Sequence, residues 1–120
     1  MQRRLVGHLG GTSSADIDSS GLLLATAGSD QRVKLWNLQT GQLVRELIGH
    51  TDLVRGVSFR FDGQQLASVG YDRTLRIWDA ATGNQLRRTD DGNRFWRVIF
   101  SPINNTLAVS EVGQDLNVYD

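Results

Sequence analysis

Two sets of polar side chains in this 120-residue sequence have the makings of catalytic chemistry. His8, Thr26 and Asp30 form one set, and His50, Ser68 and Asp72 form the other. Imidazole, hydroxyl and carboxylate are the components of a nucleophilic triad, in which the ring takes the hydroxyl proton and the carboxylate orients the ring. Paired carboxylates at Asp16/Asp18 and Asp90/Asp91 are the residue types of acid–base or cation-binding sites. Gly7, Gly10 and Gly11 raise the question of a phosphate loop. Context argues against each. The hydroxyl sets occur twice at one spacing, each followed by a tryptophan, Trp36 or Trp78, whereas an active site is needed once. The carboxylate pairs lie beside Gly- or Ser-rich turn sequence with no third ligand nearby, which favours solvated turns. The glycines have neither a strand-to-helix pattern before them nor Lys-Ser/Thr after them. With no Cys there is no thiolate, disulfide or Cys-ligated metal. No catalytic residue, metal or cofactor is expected.

The elements that carry these residues read as short strands. Val33/Leu35, Val57/Phe59, Leu75/Ile77 and Leu116/Val118 alternate with period two, and no window carries a useful helical stripe. Between them lie Ser20-Gly21, Thr40-Gly41, Asp62-Gly63, Thr82-Gly83 and Asn104-Asn105, pairs suited to the positive φ of tight hairpins. The chain is predicted to be all-β, and the 13 Gly against one Pro are turn residues. Balanced charge, 13 Lys+Arg against 13 Asp+Glu, argues against a nucleic-acid or membrane-surface binder. Twelve of the 13 cations are Arg, spread along the chain as general surface residues. No apolar run approaches the roughly 18 residues of a membrane span, so a soluble, cytoplasmic chain is expected.

The signals repeat at an offset of 42 residues. Gly7-His8 recurs as Gly49-His50, Leu24-Ala25 as Leu66-Ala67, Asp30 as Asp72, Trp36 as Trp78, and Thr40-Gly41 as Thr82-Gly83. A weaker third copy follows at offset 41, pairing Phe59 with Phe100, Leu66-Ala67 with Leu107-Ala108, and Trp78-Asp79 with Tyr119-Asp120; Ser110 is matched to Ser68. So many unlike residue types at one spacing make a repeat.

A unit of this length with Gly-His near its start and Trp-Asp near its end resembles the WD40 repeat. Gly49-His50, Leu66-Ala67-Ser68, Asp72 and Ile77-Trp78-Asp79 carry the likeness, which extends over the whole chain, although the first copy reads Trp36-Asn37. The resemblance implies a β-propeller of four-stranded blades around a channel. It also implies that His8, Thr26, Asp30 and Trp36, and likewise His50, Ser68, Asp72 and Trp78, are hydrogen-bond chains within blades rather than active sites. In the third copy Asp91, Gly113 and Tyr119 replace His50, Asp72 and Trp78, so that blade is expected to lack the network and to be the most mobile. Propellers of this family are mostly non-enzymatic platforms, with partners at the channel mouth. Ser13, Arg55 and Trp96 align there, with Tyr71, Arg94 and Arg97 as neighbours. Packing between blades is the alternative role for Trp96. Peptides or protein domains are the expected ligands, with no nucleic acid and no membrane. A carbohydrate binder or enzyme using surface carboxylates is a remote alternative.

The repeat register divides the chain into an outer strand at 1–6, a blade at 12–47, a second at 53–89, and three strands of a third at 94–120. Three blades are too few to close, since propellers typically hold four to eight. Closure is therefore expected only by homo-oligomerisation, with the 1–6 strand of one chain completing the last blade of the next. A homodimer gives six blades and is preferred; a homotrimer gives nine. An engineered or excised propeller whose only function is ring assembly is the alternative to an interaction module.

Overall fold

The computed structural model describes residues 5, 7–90, 92–113 and 116–120. The 1–6 strand expected from the register lies outside the described residues, apart from Leu5. Among the described residues, eleven strands form three antiparallel sheets. The first holds β1 (Thr12–Ile17), β2 (Leu23–Gly28), β3 (Val33–Asn37) and β4 (Leu43–Leu47), in that order. The second holds β5 (Val54–Phe59), β6 (Gln65–Gly70), β7 (Thr74–Asp79) and β8 (Gln85–Asp90). The third has β9 (Phe95–Phe100), β10 (Leu107–Glu111) and β11 (Leu116–Tyr119).

The turns explain why a strand stops where it does. Gly21, Gly41, Gly63 and Gly83 all take positive φ, between 73° and 81°. The predicted Asn104-Asn105 pair does not, so that hairpin turns without a left-handed residue. Beyond β3 and β7, the Asn37 and Asp79 side chains each accept two backbone N–H groups of the following turn. Asn and Asp are interchangeable in such a turn because only one side-chain oxygen is used. That is why Trp36-Asn37 departs from the Trp-Asp pattern without altering the hairpin.

Alternation along the strands gives each sheet two apolar faces. Ala25, Ala27, Val33, Leu35 and Leu47 of the first sheet pack on Val57, Phe59, Leu66 and Trp78 of the second. The opposite face of the second sheet, Ala67, Val69, Leu75 and Ile77, packs on Phe95, Val98, Phe100, Leu107 and Val109. The sheets are thus stacked in series with the second in the middle. The innermost strands also bond to one another: Phe59 N donates to Asp16 Oδ2 (2.8 Å) and Phe100 N to Ser58 Oγ (2.9 Å).

Asp16 is therefore a strand residue at a sheet–sheet contact, which corrects its placement in a solvated turn. Its neighbour Asp18 does organise a turn, accepting from Ser20 Oγ and from the Leu22 and Leu23 N–H groups. Asp90 ends β8 and pairs with Arg88 (2.8 Å), while Asp91 lies outside the described residues.

Candidate functional site

The two hydroxyl sets form chains with one geometry. His8 Nε2 lies 2.7 Å from Thr26 Oγ1 and its Nδ1 lies 2.8 Å from Asp30 Oδ1, while Trp36 Nε1 donates to the same hydroxyl at 2.9 Å. In the second sheet the matching distances are 2.7 Å from His50 Nε2 to Ser68 Oγ, 2.9 Å from His50 Nδ1 to Asp72 Oδ2, and 2.8 Å from Trp78 Nε1 to Ser68 Oγ. Each hydroxyl accepts the indole N–H and faces the imidazole; Ser68 is fully buried and Thr26 is 8% exposed. Burial pushes the Asp72 carboxyl upward, but the hydrogen bond and charge of His50, with bonds from Thr51 N and Thr74 Oγ1, outweigh it and hold Asp72 well below the usual carboxylate range. Asp30 is lowered in the same way, burial again being outweighed by His8.

A cation extends each chain, a feature absent from the sequence reading. Lys34 and Arg76 stand two residues before the tryptophans, and the Arg76 guanidinium is buried. Arg76 Nε donates to Thr74 Oγ1 (3.1 Å), Nη1 donates to Gln85 Oε1 (2.9 Å), and Nη2 lies 3.6 Å from Asp72. Lys34 donates to the Gly7 carbonyl and stands 3.9 Å from Asp30. The signal was available: a basic residue recurs at the repeat offset on the strand face that carries the tryptophan.

The third sheet solves the same problem with other residues. The register places Val109 opposite Asn117, as Ser68 is opposite Arg76. The counterpart of Ser68 is thus buried Val109, and the pairing of Ser110 with Ser68 is corrected by one residue. A slip of one turns a side chain to the other face, so Ser110 faces away from this position. Gly28 and Gly70 end their strands opposite Thr12 and Val54, and Glu111 stands in the same register opposite Phe95. A Cβ on Gly70 would come within 2.7 Å of the Leu53 carbonyl and 3.3 Å of His50 Nδ1. In the third sheet no histidine aligns, and the buried Glu111 carboxylate accepts from Asn93 Nδ2 (3.2 Å) and Asn117 Nδ2 (2.6 Å).

The rim residues are positioned by bulges. Each innermost strand carries one extra residue just inside its start, and these are Ser13, Arg55 and Trp96. A bulge re-aims its extra side chain out of the alternation. Arg55 Cζ lies over the Trp96 ring, 4.1 Å from its centroid. Trp96 stacks against Tyr71 with centroids 6.4 Å apart and planes 25° apart, and Arg94 Cζ lies over Tyr71 at 5.2 Å. Four of the six predicted rim residues therefore form one cation–aromatic ladder, with Trp96 41% exposed. Such contacts hold a guanidinium plane in place. Below the ladder a cleft of about 350 Å³ runs between the innermost strands, past Asp16 and Gly56.

The other two rim residues, Ser13 and Arg97, are not part of the ring stack but line the same cleft. Ser13 directs its hydroxyl to the Val54 carbonyl, with the Ala27 carbonyl also 3.2 Å away, so it joins the first two sheets. Arg97 sits at the register of Gly56 and lines a hollow of about 180 Å³ with Ile99, Ala108, Ser110 and Leu116 on the open face of the third sheet.

Comparison with known proteins now bears on this geometry. The family described as WD domain, G-beta repeat, WD40, matches residues 1–37 and 41–79. The chain belongs to the WD40 family. Its antiparallel sheets are consistent with WD40 blades, the third lying beyond the matched residues, and proteins of this kind are in general protein-interaction scaffolds. The WD40 chain is 44% identical over 39 residues to eukaryotic translation initiation factor 3 subunit I of Aspergillus terreus, and equally so to that of Emericella nidulans. It is 42% identical over 41 residues to the Debaryomyces hansenii subunit. The matched stretch is 32–34% of this chain and spans 12% of the length of these relatives. Among the described residues, no helix is long and apolar enough to cross a membrane.

Proposed function

We propose that this WD40 chain is a non-enzymatic, cytoplasmic protein-interaction scaffold that completes its propeller with a second copy of itself, giving six blades from two chains. The observation that carries the reading is the open face of the third blade. Leu116 and Val118 are each 61% exposed there, whereas their counterparts Val33 and Leu75, Leu35 and Ile77 are between 0% and 6% exposed under the next blade. Faces built to one repeat pattern need the same cover, and repeat proteins bury such faces against neighbouring units. The opposite end of the stack offers the matching surface. Ile17 stands at the register of Phe59 and Phe100 and is 53% exposed, as is Ile99 at the register of Asp16 and Ser58. The isoleucines would meet where the two internal contacts place a hydrogen bond.

The strand number supports the same reading: among the described residues the third sheet holds three strands where the other two hold four, so the repeat pattern calls for a further strand there. Residues 1–6 of a second chain would supply it by strand exchange. Three chains would make nine blades, beyond the usual range, and no observation favours that ring. Within the assembly the cation–aromatic ladder forms the partner-binding rim, and the His-hydroxyl-Asp-Trp chains brace the first two blades.

Light scattering coupled to size exclusion tests the assembly. Twice the 13.3 kDa chain mass is expected for the wild type, and the single-chain mass for Leu116→Asp, whose substitution lies on the open face. A folded wild-type chain at 13.3 kDa would overturn the self-assembly. Loss of secondary structure together with mass in Leu116→Asp would call for Val118→Lys as the second variant, judged by the same measurement.

A further inference from the structure

We infer that the rim recognises an extended peptide through anionic oxygens, carboxylate or phosphate, with Arg55 and Arg94 as the groups that hold them. This deepens the proposed reading of the rim as the partner surface and rests on it. The ladder of Arg55, Trp96, Tyr71 and Arg94 fixes two guanidinium groups on rings, and it meets the cleft through Arg55 and Trp96, which line it. Among the described residues, neither arginine has a carboxylate in ion-pair range, as is also true of Arg45, Arg73, Arg87 and Arg97, whereas Arg32, Arg60, Arg76 and Arg88 each have one. What sets Arg55 and Arg94 apart from the other unpaired arginines is their seat on a ring. Among the described residues, the Arg55 guanidinium donates to the Ser13 carbonyl, at 3.5 Å. The carboxylate nearest in the cleft, Asp16, is engaged by the Phe59 N–H.

The arrangement differs from an ordinary exposed arginine in two physical respects. A guanidinium stacked on a ring keeps its plane, so its edge N–H groups face a ligand with less conformational entropy left to lose. Those edge donors match the two oxygens of a carboxylate or phosphate. The same stacking disfavours a nucleic acid. Base recognition needs a free aromatic face, yet Trp96 already contacts Arg55 and Tyr71, and Tyr71 contacts Arg94. The chain also has no net charge and no continuous basic stripe to follow a phosphate backbone. An extended peptide suits the cleft, whose walls are strand edges and bulged residues.

Fluorescence anisotropy with labelled ten-residue peptides tests the inference on the full chain. One peptide alternates Asp and Glu with Gly and Ser, a second replaces each acid by its amide, and a third carries two phosphoserines in the amide background. The acidic or the phosphorylated peptide is expected to bind at least about tenfold more tightly than the amide peptide, and less tightly as salt is raised. The tighter of the two identifies the source of the anion. Arg94→Gln, at an exposed position outside the core, is expected to reduce that preference to near unity, and Arg55→Gln likewise. Should Arg55→Gln lose its fold, Arg94→Gln carries the test. Equal binding of acidic and amide peptides would remove the anionic preference while leaving the rim as a partner surface. Absence of binding by all three would overturn both readings. Tighter binding of an oligouridine than of any peptide would overturn the inference in favour of a nucleic acid.

Discussion

The second and third blades are built to one register and secured in different ways. In the second, both sheet faces are covered, and a buried chain from Trp78 through Ser68 and His50 to Asp72 spans the blade and continues to Arg76. In the third, one face is open, Val109 replaces the central hydroxyl, and the Glu111 carboxylate is held by two asparagine amides. The lesson concerns space as much as hydrogen bonding. Glycine at the end of the second strand and histidine before the first strand occur together in blades one and two; a Cβ at Gly28 would fall 2.5 Å from His8 Nδ1, and one at Gly70 would fall 2.7 Å from the Leu53 carbonyl and 3.3 Å from His50 Nδ1. In blade three the histidine is absent and a carboxylate stands at the register of the glycine. A buried carboxylate still needs donors, and Asn93 and Asn117 supply them.

Trp78→Ala should strain this contrast most. Removing the indole empties the contact between the first two blades and leaves the Ser68 hydroxyl without its indole donor, at about 3–5 kcal/mol. Tyr119→Ala, at the matching but half-buried position, should cost about half as much, so urea unfolding of the pair measures the difference. Equal losses would mean that the third blade is braced as firmly as the second.

Asp72→Asn comes next, at about 3 kcal/mol near neutral pH, because it breaks a buried charged pair and leaves Arg76 uncompensated. The folded Asp72 pKa lies below the ordinary value of about 3.9, so the unfolded chain binds the proton first as acid is added. The stabilisation is complete above about pH 4 and is lost as the pH falls from there through the folded value. The gap between wild type and Asp72→Asn should therefore narrow below about pH 4; a gap unchanged in acid would exclude the ionised carboxylate as its source. The third and smallest effect is in hydrogen exchange. The slowest amides of β10 and β11 should exchange about tenfold faster than those of β6 and β7, a difference of about 1.4 kcal/mol in opening free energy. Equal protection would show that the Glu111–asparagine set replaces the tetrad fully.

Much of this was legible in the residues. Alternation and Gly-containing turns marked the strands, and the offset of 42 aligned His8 with His50 and Trp36 with Trp78. The rim positions were also reachable, since Ser13, Arg55 and Trp96 share one place in the repeat. The division of the rim was not. Alternation by itself places Trp96 opposite the face of Phe95, but the bulge directs it toward Arg55 and Tyr71, while Arg97 falls on the open face with Ile99. Asp16 was misread for a related reason: two acids beside Ser and Gly look like a turn, and only the stacking of β5 on β1 gives its carboxylate a backbone donor.

The sequence by itself determined the repeat, the short antiparallel strands and the membership of each polar chain, because these follow from local dihedral preference and from residue types recurring at one interval. Only the tertiary structure decided which bulged side chains meet, where Glu111 finds its donors, and which face is left uncovered. Those outcomes depend on register and on sheets packing across long stretches of chain. A one-residue slip reverses the face a side chain occupies: the offset of 41 that aligns Leu107-Ala108 carries Ser68 to Val109, and the strand register keeps Ser110 on the other face.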